Sequence, residues 1–150
     1  MRTFRRALEE DVIKIAELEK ENFTDAWSEQ GIDETMKQSQ AFITVAEIQG
    51  EVVGYCIIYH VMDEAEIARI AVSESVRRQG IGKELLDYTC VLCREKRITR
   101  LLLDVRESNC NAISFYTSYG FCQDGIRKNF YERPQEHAVL MSKDIQSFPL

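Results

Sequence analysis

The chain is short of the residues that interrupt a fold. Only two of its 150 residues are proline, Pro134 and Pro149. There is no low-complexity tract and no internal repeat, so nothing marks a linker, and residues 1–150 read as a single domain. No apolar run approaches the ~18 residues of a membrane span, and no membrane role is expected. The opening "MRTFRRALEEDVIK" is basic and then acidic without an apolar stretch, so no signal peptide is expected either. Positive charge is scarce: 19 Lys and Arg against 25 Asp and Glu leave a net −6. A general nucleic-acid binder would carry a broad basic footprint, so direct nucleic-acid binding is not expected. The acidic balance fits a cationic partner, such as an amine or a basic peptide, and equally an ordinary solubilising surface.

Histidine is also rare. His60 and His137 have no partners at metal-ligand or triad spacing, and no metal is expected. The five cysteines, at 56, 90, 93, 110 and 122, are an odd number. Cys90 and Cys93 form a CxxC, but it lies inside a helical pattern with no second ligand pair nearby. The reading is a reduced, cytoplasmic chain whose thiols mostly pack in the core.

What is present is a regular alternation of elements. Residues 2–7 form a short edge strand. Val12, Ile15, Ala16, Leu18 and Phe23 recur near helical spacing behind a run of acids, where the helix dipole favours them. A second short helix falls within 27–40, with Ser28 as N-cap. Residues 41–62 read as a β-hairpin about "QG", and "EAEIARIAV" (64–72) as another strand. A helix over about 80–96 presents Ile81, Leu85, Leu86, Thr89 and Leu92 or Cys93. "RLLLDV" is a buried strand. Residues 109–120 form a helix capped by Asn109 and stopped by Gly120, and strands near 121–130 and 136–143 close the chain. The strand–helix–strand unit in the middle implies a parallel pair within an otherwise antiparallel sheet.

The densest chemical signal is "VRRQGIGKELL", Val76–Leu86, between the strand ending at Val72 and the helix starting near Gly80. Glycines let backbone approach a ligand closely. Free N–H groups at a helix start, the positive end of its dipole, and the charges of Arg77 and Arg78 together make an anion site that suits a pyrophosphate. A Walker A loop would need Gly at 77 and Ser or Thr at 84, where Arg77 and Glu84 stand. The dinucleotide fingerprint GxGxxG is not completed either.

"RRQGIG" resembles the Q/R-x-x-G-x-G/A signature of the GNAT superfamily of acyl-CoA-dependent N-acetyltransferases. "NCNAISFYTSYGF" (Asn109–Phe121) is similar to that family's second signature. "DEAEIARIAV", "LLLDVRESN" and "IRKNFY" look most like its ribosomal-protein-alanine N-acetyltransferase branch. The resemblance implies an α/β fold of α+β type. It comprises a mixed central sheet of about seven strands, a splayed parallel pair in its middle, and about four helices. It implies acetyl-CoA as co-substrate. Ile70, Ala71 and Val72 would hold the acetyl carbonyl and pantetheine arm. The pyrophosphate would lie across Arg77, Arg78, Gln79, Gly80, Ile81, Gly82 and Lys83. Asn109 would contact the pantetheine side, and Tyr116 would lie beside the sulfur.

The implied reaction is attack of a neutral amine on a thioester, which needs a base for the ammonium, a donor for the carbonyl oxygen and an acid for the thiolate. Tyr116 is the candidate acid and the Val72 N–H the candidate donor. Asp104 and Glu66 compete as base, with water alone as a third option; strand alternation puts Glu66, Ala68 and Ile70 on one face. Asp104 stands where the branch carries Glu, one methylene longer. Phe130 and Tyr131 are expected to pack on an acceptor backbone, with Glu132 or Glu136 drawing its cation. Phe23 and Trp27 line the same groove or lie in the core. The expected acceptor is the N-terminal α-amine of a peptide or protein, such as a ribosomal protein with N-terminal Ala. A small-molecule amine acetyltransferase and a catalytically silent acetyl-CoA sensor are the alternatives.

Overall fold

The structure, a computed structural model, describes residues 1–146. The elements follow the expected order: β1 (Arg2–Arg6), α1 (Val12–Asn22), α2 (Glu29–Met36), β2 (Ala41–Ile48), β3 (Glu51–Val61), β4 (Glu64–Val72), α3 (Ile81–Glu95), β5 (Arg100–Arg106), α4 (Cys110–Tyr119), β6 (Cys122–Tyr131) and β7 (Glu136–Asp144). The strands form one sheet in the order β1-β2-β3-β4-β5-β7-β6.

Two helix boundaries differ from expectation for local reasons. The acids expected to open the first helix instead form a separate 3-10 turn, Glu9–Asp11, ahead of it. The Asp11 carboxylate accepts the Leu8 N–H at 2.7 Å and the fork of Arg5 at 2.7 and 3.0 Å, which tightens that turn. The second helix begins where expected, with Ser28 Oγ accepting the Gly31 N–H at 3.0 Å. It ends early because Lys37 and Gln38 turn back to the carbonyls of Glu34 and Thr35.

Helices cover both faces. α1 and α2 pack over one cluster, in which Ile15, Ile32, Tyr55 and Ile57 are fully buried. α3 and α4 pack over the other, where α3 contributes Ile81, Leu85, Leu86, Cys90 and Cys93. Cys93 rather than Leu92 completes the buried face of α3. Cys56, Cys90 and Cys93 are buried free thiols, and burial pushes the Cys93 thiol up to about 12, so the CxxC is core and not chemistry.

Two irregularities in β4 shape the centre. The β3–β4 register shifts so that Ile57 faces Arg69 but Ile58 faces Ile67, leaving Ala68 as an extra residue. The expected alternation therefore fails. Glu66 and Ala68 keep the α1 face, but Ile70 crosses to the α3 face with Ala65, Ile67 and Val72, and Arg69 and Ala71 turn toward α1. In addition, β4 pairs with β5, in parallel, only from Glu64–Glu66 to Arg100–Leu102. Beyond that the two strands diverge. The Ser73 N–H bonds the Val53 carbonyl of β3. By the alternation of an antiparallel ladder, the N–H groups of Val72 and Ile70 point the other way, into the gap.

Candidate active site

The gap opens the sheet on both faces. On the α3 side lies a cleft of about 450 Å³. It is walled by the end of β4, the loop after it, the first turn of α3 and one side of α4. On the α1 side a second cleft, about 310 Å³, runs between Asn22–Asp25, the splayed strands and Tyr131. Ile70, Ala112 and Tyr116 line both. The two clefts thus meet at the Tyr116 ring.

The first cleft collects most of the residues singled out for a phosphate-bearing ligand. Ile70, Ala71 and Val72 supply the β4 wall; Arg77, Arg78, Gly80, Ile81, Gly82 and Lys83 supply the loop and helix start. Gly80 has φ +79°, the left-handed region that favours glycine, and it opens α3, whose first amides lack helical partners. Arg77 is drawn aside: its guanidinium donates to Asn22 Oδ1 and, at 3.2 Å, to the Val72 carbonyl. Arg78 and Lys83 carry the remaining charge, Lys83 in an exposed pair with Asp87 at 3.3 Å.

Two expected residues lie elsewhere. Gln79 does not line the cleft, and its carbonyl accepts from Arg2 Nη2 at 2.5 Å. Asn109 lines the second cleft instead, its Oδ1 capping α4 by accepting the Ala112 N–H at 3.1 Å. Asn111, Ala112 and Phe115 face the first cleft in its place. Arg2 also pairs with Glu84 at 2.5 Å, so β1 braces the glycine loop from below. A contact across so much chain has no sequence signal. Arg2→Ala is expected to raise the KM for acetyl-CoA by up to about tenfold, the worth of one hydrogen bond and an exposed ion pair, while the acceptor KM stays put. Steady-state kinetics with each substrate varied in turn check this.

In the second cleft Asp104 projects from β5, and no hydrogen bond or ion pair engages its carboxylate among the described residues. Glu66 shares that face but does not line the cleft; burial first and Asp104 second push its carboxyl above the ordinary range, with Arg127 opposing. Tyr131 stands opposite, its phenol pushed up to about 12 by burial and then by Asp104. Arg106 lies 4.5 Å from the Tyr131 ring centroid and donates to the carbonyls of Pro134 at 2.9 Å and Glu132 at 3.3 Å. Glu136, expected to draw a cation, is already engaged: it pairs with Arg106 at 3.2 Å and accepts the Ser108 N–H at 2.6 Å. Phe23 lines the cleft, whereas Trp27 packs against the α1-side core.

Tyr116 is 8% exposed. Its ring meets Phe115 and Phe121 edge-on, at 5.3 and 5.4 Å. Its hydroxyl has no hydrogen-bond partner among the described residues, and burial holds the phenol well above its ordinary value.

A family model described as the acetyltransferase (GNAT) family matches residues 12–121. The chain belongs to that family. Among relatives, a Bacillus subtilis protein carrying a provisional ribosomal protein bS18-alanine N-acetyltransferase name is 38% identical over 133 residues, 88% of each chain. The ribosomal protein bS18-alanine N-acetyltransferase of Escherichia coli K12 is 33% identical over 122 residues, covering 79% of this chain and 81% of that one. The crystal structure of the Escherichia coli ribosomal-protein-S18-alanine N-acetyltransferase superposes with a TM-score of 0.89 at 28% identity, covering 99% and 96% of the two chains.

As a GNAT member the protein is an acyltransferase with acetyl-CoA as its co-substrate, and the seven-stranded sheet with its short parallel pair is the GNAT fold. The first cleft has the make-up such a donor requires: an apolar length along β4 and α4 ending at a basic, glycine-bearing helix start. Among the described residues no group of three or more His, Cys, Asp or Glu could hold a metal ion, and no helix is long and apolar enough to cross a membrane.

Proposed function

We propose that this GNAT enzyme transfers an acetyl group to the free α-amine at the N-terminus of a protein, N-terminal alanine of a ribosomal protein being favoured, in the cytoplasm and through one domain spanning residues 1–150. The observation that carries the reading is the second cleft. It holds about 310 Å³, enters from the face opposite the first cleft, and ends at Tyr116, with the Asp104 carboxylate, unpaired among the described residues, on its wall. Such a slot suits a chain end better than a mid-chain segment. The names of the relatives support the same acceptor.

Acetyl-CoA supplies the thioester carbonyl and the leaving sulfur. Arg78, Lys83 and the amides about Gly80–Gly82 hold its phosphates, and the gap-facing N–H groups of Ile70 and Val72 hold its arm and carbonyl. Asp104 takes the proton from the entering ammonium, directly or through one water that makes up for its short side chain. Glu66, beside it and pushed upward, is a second carboxylate to which that proton can pass. The Val72 N–H stabilises charge building on the carbonyl oxygen. The Tyr116 hydroxyl, which has no other partner among the described residues, gives its proton to the departing sulfur.

The pH dependence follows from the groups. An acceptor α-amine has pKa ~8, so kcat/KM for the acceptor should rise as pH increases through that value. The phenol of Tyr116 is raised by burial, so it stays protonated at alkaline pH and the profile should stay flat to beyond about pH 10. A descending limb near pH 9 in the pH–rate profile would remove Tyr116 as the acid.

Acceptor identity is tested by intact-mass assay with acetyl-CoA. The panel holds short peptides beginning with Ala, Ser, Thr, Gly or Met, the same peptides with blocked N-termini and internal lysines, and small amines. Product confined to free N-termini, Ala foremost, is expected. Product on small amines alone would overturn the reading in favour of a small-molecule enzyme.

A further inference from the structure

We infer that Arg69 is a positioning residue for the acceptor: it fixes the course of residues 23–27 over the second cleft and thereby sets the width of the slot. The inference rests on the reading of that cleft as the acceptor site.

Arg69 owes its place to the extra residue in β4. Without the shift at Ala68, alternation from Ile67 would leave position 69 on the α3 face. With it, the guanidinium reaches across to α1. It donates from Nε to Glu19 Oε1 at 3.3 Å, and from Nη2 to the Asp25 carbonyl at 2.8 Å and to Asp25 Oδ1 at 3.1 Å. The ring of Phe23 lies against it, 4.0 Å from centroid to guanidinium carbon, and Trp27 flanks it at 5.8 Å.

Glu19 is a fully buried carboxylate that the proposed chemistry does not use. It also accepts the Tyr55 hydroxyl and, at 2.9 Å, the Trp27 N–H. Two of these bonds end on loop backbone, the Asp25 carbonyl and the Trp27 N–H. They therefore define the path of the chain and not merely the pose of a side chain. Phe23, Asp25 and Arg69 all line the cleft. A planar guanidinium suits this task because it meets a carboxylate, a carbonyl and an aromatic face at once, which a lysine ammonium cannot do.

The consequence is preorganisation. Apparent affinity scales with the fraction of time the binding-competent loop is in place. Arg69 raises that fraction. Loss of the Arg69 side chain should affect the step that uses the slot and spare the donor cleft, which that side chain does not line.

The test uses the full-length protein and two variants. Arg69→Met leaves the buried Glu19 charge unpaired, so Arg69→Met combined with Glu19→Gln guards against simple unfolding. Amide hydrogen exchange of the acetyl-CoA-bound protein is read at residues 23–28. Kinetics are read with the peptide the wild type accepts, acceptor and acetyl-CoA varied separately. Expected in the double variant are exchange at 23–28 faster by about tenfold or more, an acceptor KM raised about tenfold, and unchanged kcat and acetyl-CoA KM. Unchanged protection at 23–28 in a folded variant would overturn the inference, as would a fall in kcat with both KM values intact. If the wild type accepts no peptide, the proposed acceptor fails. The exchange measurement still decides whether Arg69 holds the loop, with unchanged protection again overturning the inference.

Discussion

Replacing Tyr116 by Phe should lower kcat by about 10²–10⁴-fold while leaving acetyl-CoA affinity within about twofold, the range for loss of one general acid. The fold should not notice the change. The ring keeps its edge contacts with Phe115 and Phe121, and the hydroxyl has no partner to abandon among the described residues. Tyr116 lines both clefts, so its hydroxyl stands where they meet and where a departing sulfur becomes anionic. Thermal unfolding and acetyl-CoA binding by calorimetry serve as controls, and single-turnover rates isolate the chemical step. A loss under about tenfold would mean that solvent reprotonates the sulfur and that Tyr116 is only a wall.

Gly82→Asp should weaken acetyl-CoA binding by about a hundredfold or more without destabilising the protein, since a charge is set against a phosphate at the positive end of a helix. A Cβ at Gly82 would meet Phe115 at 3.6 Å and Val72 at 3.7 Å, ordinary contact distances. Aspartate in the first turn of α3 is itself favourable to the helix, and it removes a glycine from a helical position. The thermal midpoint should therefore hold or rise as ligand affinity collapses, a combination that misfolding cannot mimic. Gly80→Asp is the less clean experiment, because φ +79° at that position adds backbone strain to the charge effect. Calorimetric affinity for acetyl-CoA within threefold of the wild type at Gly82→Asp would place the phosphates elsewhere.

Much of this was legible in the sequence because it is encoded locally. Periodicity, Ser28 and Asn109 as caps, Gly120 as a helix stop and the RRQGIG loop all act within a few residues, and each stands where it was expected. Tyr116 was singled out for a different reason, the resemblance to a family motif, and it lines both clefts; Asp104, which departs from that pattern, lines the second, and the acid and base roles of the two are proposals. What escaped was long-range or irregular. The β4 bulge has no signature in "EAEIARIAV", yet it decides that Ile70 and Glu66 part company and that Arg69 faces α1. Arg2 acts on Gln79 and Glu84, Arg106 on Glu132, Pro134 and Glu136, and Arg69 on Glu19 and Asp25. All three are arginines reaching between distant segments, which no window along the chain can see. Glu136 looked available to an acceptor because its partners, Arg106 and Ser108, are supplied by another strand and loop.

The brief pairing of β4 with β5 has a consequence of its own. A sheet ordinarily confines its unpaired backbone to its two margins, where it risks recruiting foreign strands. This sheet carries a further margin at its centre, screened by helices on one face and by residues 23–27 on the other. Only something thin and extended can reach it. In the proposed reaction the arm of the donor and the end of a polypeptide would arrive there from opposite faces and lie end to end in the gap. The contact point between them is a seam in the protein's own architecture.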